Sequence, residues 1–226
     1  MQSILSIETS GRQFSVSIFQ DNAEIYSAKV EMEQSQEALA APVIDLAMKA
    51  TNLNYSELDA IAVGSGPGSY TGLRIGMALA SGISFGSGVP IVSVGTLENL
   101  AFQILENCPS AQKVLPVIEA RKGEVFFGVW SRSAEKTEIE PVCVGIEEFK
   151  LAVEKMSGPD LPVFCSSGDA AREILAEAGF EQVIGLSPDS ISAAKIAASK
   201  LASGSFVQSE VDEPSYLKPV YISSSK

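Results

Sequence analysis

The sequence contains no histidine, and this absence excludes more kinds of active site than any of its motifs suggests. Ser-His-Asp triads, Cys-His pairs and histidine-held metal centres all need a residue that the chain does not have. Hydrolysis by the usual serine or metal machinery is therefore disfavoured. We expect no catalytic residue and no metal site in this chain.

Positive charge is also scarce, with 16 lysines and arginines against 28 acidic residues and a net charge of −12. Affinity for a phosphate backbone comes chiefly from lysine and arginine, so the balance opposes direct binding of nucleic acid. If the protein acts on nucleic acid, we expect a partner to provide the basic surface.

Cysteines and long apolar runs are few. Cys108, Cys143 and Cys165 lie far apart and form no CxxC pair, which favours reduced thiols over disulfides or a zinc site. No apolar stretch approaches the length of a membrane span, and the start of the chain is strand-like, without a basic segment before it. These features predict a cytoplasmic protein without a membrane partner.

With 226 residues, 46% of them hydrophobic, the chain can form one domain or two lobes.

The most informative segment is a glycine-rich stretch between an apolar strand and an amphipathic helix. Residues 64–76 read Gly-Ser-Gly-Pro-Gly-Ser-Tyr-Thr-Gly-Leu-Arg-Ile-Gly. Such turns usually bind anions, because free backbone N–H groups converge at the start of the helix. A Walker loop needs a lysine, yet none occurs between Lys49 and Lys113. A dinucleotide-binding loop needs a third glycine at the position that Ser69 occupies. It also needs an acidic residue about twenty residues further along the chain, and residues 84–92 contain none.

An anion site of another type stays open at this loop. It would combine the first strand-turn with the glycine loop, as in a phosphotransferase that holds a magnesium-bound phosphate. A structural carboxylate at a strand end is the simpler interpretation of the same turn. The candidate anion or nucleotide contacts are Glu8, Thr9, Ser10, Gly66, Gly68, Ser69 and Thr71.

The pattern of hydrophobic residues predicts the same order of elements twice, three strands followed by helix, strand and helix. In the first half, strands are expected at 3–8, 14–19, 24–30, 59–63 and 90–94, with helices at 35–50, 71–85 and 96–106. In the second half, strands are expected at 113–119, 124–131, 137–144, 162–165 and 182–184, with helices at 146–156, 169–178 and 190–202. Two similar α/β lobes follow from this repetition.

Two predicted helices carry stripes suited to a close neighbour. The first has Leu39, Val43 and Leu46 along one side, a pattern that the protein's own core also explains. The second places Gly72, Gly76 and Ala80 four residues apart, beside an apolar stripe of Ile75, Leu79 and Ile83. Each interior glycine costs about 0.8–1 kcal/mol of helix stability, so a closely packed backbone should compensate. That neighbour is either the chain's own sheet or a second subunit.

These motifs resemble those of the TsaB family, also called YeaZ, the dimerisation subunit of the bacterial complex that makes threonylcarbamoyladenosine in tRNA. The family's loop reads close to Gly-Arg-Gly-Pro-Gly-Ser-Phe-Thr-Gly-Leu-Arg-Ile-Gly, from which this chain departs only at Ser65 and Tyr70. Segments 4–10, 119–125 and 214–218 support the resemblance in the family's order. The family commonly has an aspartate where this chain has Glu8.

The resemblance implies two ribonuclease-H-like lobes of the actin, sugar-kinase and Hsp70 ATPase superfamily, each built as βββαβα. It places the first lobe at 1–108, a smaller second lobe at 109–189 and an extended tail at 204–226. The last helix, near 190–202, is expected to pack back on the first lobe.

The resemblance also implies a non-catalytic subunit that pairs with a catalytic TsaD-like paralogue, and with itself when that partner is absent. The stripes on the two helices would form the interface, and Gly76→Arg would abolish pairing while leaving the monomer folded. A TsaE-like P-loop ATPase would join the complex, and tRNA would be reached only through it. ATP and magnesium are expected, if at all, in the assembled complex. The alternative is an independent ATPase or phosphotransferase of the actin-like fold.

Overall fold

The structure, a computed structural model, describes residues 2–31, 36–121, 123–133, 137–156, 162–180 and 183–204. Within these ranges the chain forms two five-stranded sheets with helices packed against them. Among the helices in this part of the chain, none is both long enough and apolar enough to span a membrane.

The first sheet is built on its first strand. Its strands are β1 (Ser3–Glu8), β2 (Gln13–Gln20), β3 (Ala23–Glu31), β4 (Ala60–Gly66) and β5 (Ile91–Gly95). Their order across the sheet is β3-β2-β1-β4-β5. The strands β1, β2 and β3 form an antiparallel meander, while β4 runs parallel to both β1 and β5. The central strand β1 is buried along its whole length, because helices cover both faces of the sheet.

The second sheet repeats this arrangement. Its strands are β6 (Lys113–Arg121), β7 (Glu124–Ser131), β8 (Ile139–Gly145), β9 (Val163–Ser167) and β10 (Val183–Gly185). Their order is β10-β9-β6-β7-β8, which is the first sheet's order read from the other edge. Again the first three strands are antiparallel and the fourth is parallel to the first. The predicted fold class, two ribonuclease-H-like α/β lobes, is confirmed by this repeated strand order.

Six α-helices are described in these residues. They are α1 (Gln36–Thr51), α2 (Tyr70–Ser87), α3 (Thr96–Asn107), α4 (Ile146–Glu154), α5 (Asp169–Glu177) and α6 (Ser190–Ser203). The helices α1 and α2 contact each other on one face of the first sheet, where Leu5 and Ile7 of β1 meet them. On the other face Ile4 meets α6, as the alternation of side chains along a strand requires.

The helix α6 returns from the second half of the chain to the first sheet. Ala193, Ala194 and Ala197 are fully buried there against apolar residues of β1, β4 and β5. Asn99 of α3 holds the segment that leads into α6, because its side chain donates to the Asp189 carbonyl at 2.8 Å and accepts from the Asp189 N–H at 3.2 Å.

The helix α3 lies between the two halves. Its buried Leu97, Leu100 and Ile104 pack with Val114 of β6 and Cys165 of β9. The division of the chain into two lobes at residue 108 stays a prediction. The expected tail at 204–226 lies outside the described residues except for Gly204, which caps α6.

Candidate functional site

The first strand ends in a carboxylate that is sealed inside the protein. Glu8 is fully buried, and its Oε1 accepts a hydrogen bond from the Ser10 N–H at 2.7 Å. Its Oε2 has no hydrogen-bond partner among the described residues. Burial raises the pKa of this carboxyl, and the hydrogen bonds from Ser10 only partly oppose that effect. On the neighbouring strand, a Cβ at Gly64 would lie 2.5 Å from both carboxylate oxygens, so glycine is needed at that position.

The glycine loop folds directly onto the turn that follows Glu8. The Ser69 N–H donates to the Ser10 carbonyl at 2.8 Å. A Cβ at Gly68 would lie 2.4 Å from that same carbonyl oxygen, and a Cβ at Gly72 would lie 2.1 Å from the Thr9 carbonyl oxygen. The glycines of this segment therefore let the loop and the start of α2 lie against the β1 turn.

Ser69 is the N-cap of α2. The Ser69 side chain accepts a hydrogen bond from the Gly72 N–H at 3.2 Å, which satisfies one of the free N–H groups at the start of the helix. Thr71 lies exposed in the first turn of α2. Some of the backbone N–H groups that made this loop a candidate anion site therefore donate hydrogen bonds within the chain.

The geometry does not fit ATP and magnesium between this turn and the loop. Thr9 and Ser10 are buried with Glu8, and the loop and the start of α2 lie directly against them at Gly68 and Gly72. Gly66 is also buried, at the end of β4. Of the other predicted contacts, Gly68, Ser69 and Thr71 are exposed. A contact of these residues with nucleotide in an assembled complex stays a prediction.

A small cleft lies next to this loop, between the two lobes. It has a volume of about 200 Å³ and is lined by Gly66, Pro67, Gly95, Leu97, Glu98, Trp130, Thr137, Glu140 and Pro141. Ligand sites for cofactor-sized molecules usually have about 300–1,000 Å³. The carboxylate of Glu140 would also repel a polyphosphate, so the cleft is unsuited to ATP by both size and charge.

The glycine stripe predicted on α2 packs within the chain. Gly72, Gly76 and Ala80 are all buried, and a Cβ at Gly76 would lie 2.3 Å from Thr9 Oγ1. The sequence left two neighbours open for this stripe, the chain's own sheet or a second subunit. In the structure the stripe packs against the chain's own β1 turn. The expectation that Gly76→Arg leaves the monomer folded is wrong, because a long charged side chain has no room at this buried position.

A second stripe of small residues faces outward on the same helix, and sequence reasoning missed it. Ala78, Gly82 and Gly86 recur at intervals of four and are exposed. A Cβ added at Gly82 or Gly86 would meet nothing within 4 Å. Phe85 stands beside them with 95% of its surface exposed. The four-residue spacing was visible in the sequence, but it did not show which stripe faces the core.

The neighbouring helix α1 also presents apolar side chains to the outside. Leu39 is 42% exposed and Leu46 is 56% exposed, while Val43 is half-buried. The other predicted interface residues, Ile75, Leu79 and Ile83 of α2, are half-buried and pack against the core between the helices and the sheet. We define the α1–α2 outer face as Leu39, Leu46, Ala78, Gly82, Phe85 and Gly86.

The fold and this site define an α/β protein with two five-stranded sheets of repeated strand order, a buried β1 turn and an exposed apolar helix face. Its solved relatives include "YeaZ from Pseudomonas aeruginosa", with a TM-score of 0.73 and 23% identity over 98% of this chain and 100% of that one. An uncharacterised Pseudomonas aeruginosa protein with similarity to peptidase YEAZ gives a TM-score of 0.79 at 22% identity, covering 96% of this chain and 100% of that one. At these identities the likeness shows the fold.

Sequence comparisons give the family. The model described as "TsaD: tRNA N6-adenosine threonylcarbamoyltransferase" matches residues 31–200. The "tRNA threonylcarbamoyladenosine biosynthesis protein TsaB" of Buchnera aphidicola subsp. Baizongia pistaciae is 30% identical over 69% of this chain and 70% of its own length. Its Escherichia coli counterpart is 31% identical over 62% of this chain. The chain belongs to the TsaB (YeaZ) family. It spans 64% of the Escherichia coli protein and 52% of the Haemophilus influenzae protein of the same name.

Proposed function

We propose that this chain is a non-catalytic subunit in the biosynthesis of threonylcarbamoyladenosine in tRNA. In this proposal it pairs with a catalytic TsaD-like paralogue through the α1–α2 outer face, and it pairs with itself when that partner is absent. A TsaE-like ATPase joins the assembly, and tRNA is reached only through the complex. The names of its relatives support the pathway, and the match to the TsaD model supports a paralogous partner.

The observation that carries the proposal is the exposed apolar surface on α1 and α2. Leu46 and Phe85 leave 56% and 95% of their surface in water, on two helices that contact each other. Large exposed apolar side chains in one region are typical of protein interfaces. The open space above Gly82 and Gly86 would let a helix of the partner approach the α2 backbone closely.

The features of the β1 turn support the non-catalytic part of the proposal. The only carboxylate at the end of β1 is buried, and the chain has no histidine to serve as a base or as a metal ligand. Among the described residues, no group of three acidic or cysteine side chains is arranged to hold a metal ion. Titration of the chain alone with ATP and magnesium should therefore give no turnover.

Leu46→Glu tests the interface. The change places a charge on the α1–α2 outer face. The few residues that dominate an interface each cost at least about 2 kcal/mol when truncated, or roughly 30-fold in affinity, and we expect Leu46 to be one of them. We expect the TsaD-like protein, co-expressed with the tagged chain, to be lost from the purified material.

Leu151→Glu is the matched control. Leu151 lies on α4 with 58% of its surface exposed, close to the 56% of Leu46, but outside the α1–α2 outer face. Both changes should alter monomer stability by less than about 0.5 kcal/mol, because both side chains are exposed. Equal recovery of the partner with Leu46→Glu and Leu151→Glu would contradict the proposed interface.

A further inference from the structure

The cleft between the lobes combines an aromatic ring with two carboxylates. Pro67 borders it from the first lobe, while Trp130 and Pro141 border it from the second. Glu98 of α3 and Glu140 of β8 lie in the same lining, and none of the described residues that line the cleft is a lysine or an arginine. At about 200 Å³ the cleft is too small for a nucleotide but has room for a single long side chain.

The Trp130 ring lies against its own strand at Gly128. Gly128 and Trp130 are two residues apart on β7 and therefore point to the same side of the sheet. A Cβ at Gly128 would lie 2.8 Å from the far edge of the Trp130 ring, so the ring extends back over the glycine. A preformed aromatic wall costs little conformational entropy when a ligand binds.

The two carboxylates differ in their hydrogen-bond and ion-pair partners. Glu98 Oε2 accepts from Lys200 Nζ at 2.8 Å and from the Gly95 N–H at 3.2 Å, so its charge is balanced within the chain. Glu140 accepts a hydrogen bond from Thr137 Oγ1 at 3.1 Å and has no ion-pair partner in the described parts of the chain. A carboxylate beside an aromatic ring suits a cation, which the ring attracts through its electron-rich face.

We propose that this cleft receives a basic side chain, an arginine or a lysine, from a protein partner. The cation would pair with Glu140, and its alkyl stem would lie along Trp130 and the two prolines. Arginine fits this arrangement best, because its planar guanidinium can stack on an indole and bond a carboxylate at the same time. The residues that line the cleft are not part of the α1–α2 outer face, and the proposal does not rest on the proposed function.

The single tryptophan of the chain provides the measurement, since it lies in the lining of this cleft. The full chain is titrated with the peptide acetyl-Gly-Arg-Gly-amide, and separately with the same peptide carrying citrulline, which has the shape of arginine without its charge. We expect a saturable change in Trp130 fluorescence with the arginine peptide and none with the citrulline peptide.

Glu140→Gln should weaken binding of the arginine peptide by about 2- to 5-fold, the range typical of one exposed ion pair. Glu148→Gln removes the same charge from an exposed position on α4 and should leave the affinity unchanged. The proposal is overturned if the arginine peptide gives no saturable change, if citrulline binds equally well, or if Glu140→Gln binds as tightly as the parent chain. Saturable quenching by ATP and magnesium in place of the peptide would also overturn it.

Discussion

Two glycines of the same helix should respond in opposite ways to the same substitution. Gly72 faces the β1 turn, where a Cβ would lie 2.1 Å from the Thr9 carbonyl oxygen, whereas a Cβ at Gly82 would meet nothing within 4 Å. Alanine is favoured over glycine inside a helix by about 0.8–1 kcal/mol. Gly82→Ala should therefore raise the free energy of unfolding by about 1 kcal/mol, or the melting temperature by about 2–4 °C in a chain of this size.

At Gly72 the same gain is outweighed by a steric clash. Overpacking costs about 1–3 kcal/mol or more, and the atom in the way belongs to the backbone of a buried turn, so the cost should lie at the upper end. A net loss of about 2 kcal/mol follows for Gly72→Ala, which lowers the melting temperature by about 4–8 °C. The two variants should thus differ by about 3 kcal/mol.

Urea unfolding followed by circular dichroism measures both variants directly, with the parent chain as reference. Gly82→Ala controls for helix propensity, because it introduces the same methyl group into the same helix. If Gly72→Ala proved as stable as Gly82→Ala, the inner face of α2 could not be packed against the Thr9 carbonyl. The assignment of the glycine stripe to the chain's own core would then be refuted.

Three further predictions concern buried and exposed groups. Burial raises the pKa of Glu8 above its ordinary value of 4.5, so the unfolding free energy should fall as pH rises from that value through the folded-state pKa. Glu8→Gln should remove this slope in urea titrations between about pH 5 and pH 8, and an unchanged slope would argue against a buried carboxyl. Gly128→Ala should displace the ring of Trp130 and shift its emission maximum, whereas an unchanged spectrum would contradict their contact. A hydrogen bond with Ser110 lowers the pKa of Cys108, whereas burial raises the pKa of Cys165 to about 12. Cys108 should therefore react with thiol reagents well before Cys165, and equal rates would contradict this order.

The secondary structure was largely predictable from the sequence. The repeated order of strands and helices follows from runs of apolar residues bounded by turn residues, and these are local signals. Ser69 as the cap of α2 was predictable for the same reason, since capping depends on the residues of a single turn. The resemblance of residues 64–76 to a family loop then connected the local pattern to a fold.

The direction in which each helix faces was not predictable in the same way. The helix α2 has small residues four apart both at Gly72 and Gly76 and at Gly82 and Gly86, so periodicity alone could not say which pair meets the core. That choice depends on β1, more than 50 residues earlier in the chain, whose Thr9 fills the space beside the first pair. The exposure of Phe85 escaped prediction because large apolar residues are normally buried.

The central claim is that this chain acts by pairing and not by catalysis. The most direct test is the rate of threonylcarbamoyladenosine formation in tRNA, reconstituted with the TsaD-like and TsaE-like proteins and with the parent chain, Leu46→Glu or Leu151→Glu. Modification should require this chain, fall with Leu46→Glu in proportion to lost pairing, and stay unchanged with Leu151→Glu. Modification by this chain in the absence of the TsaD-like protein, or a full rate with Leu46→Glu, would contradict the account.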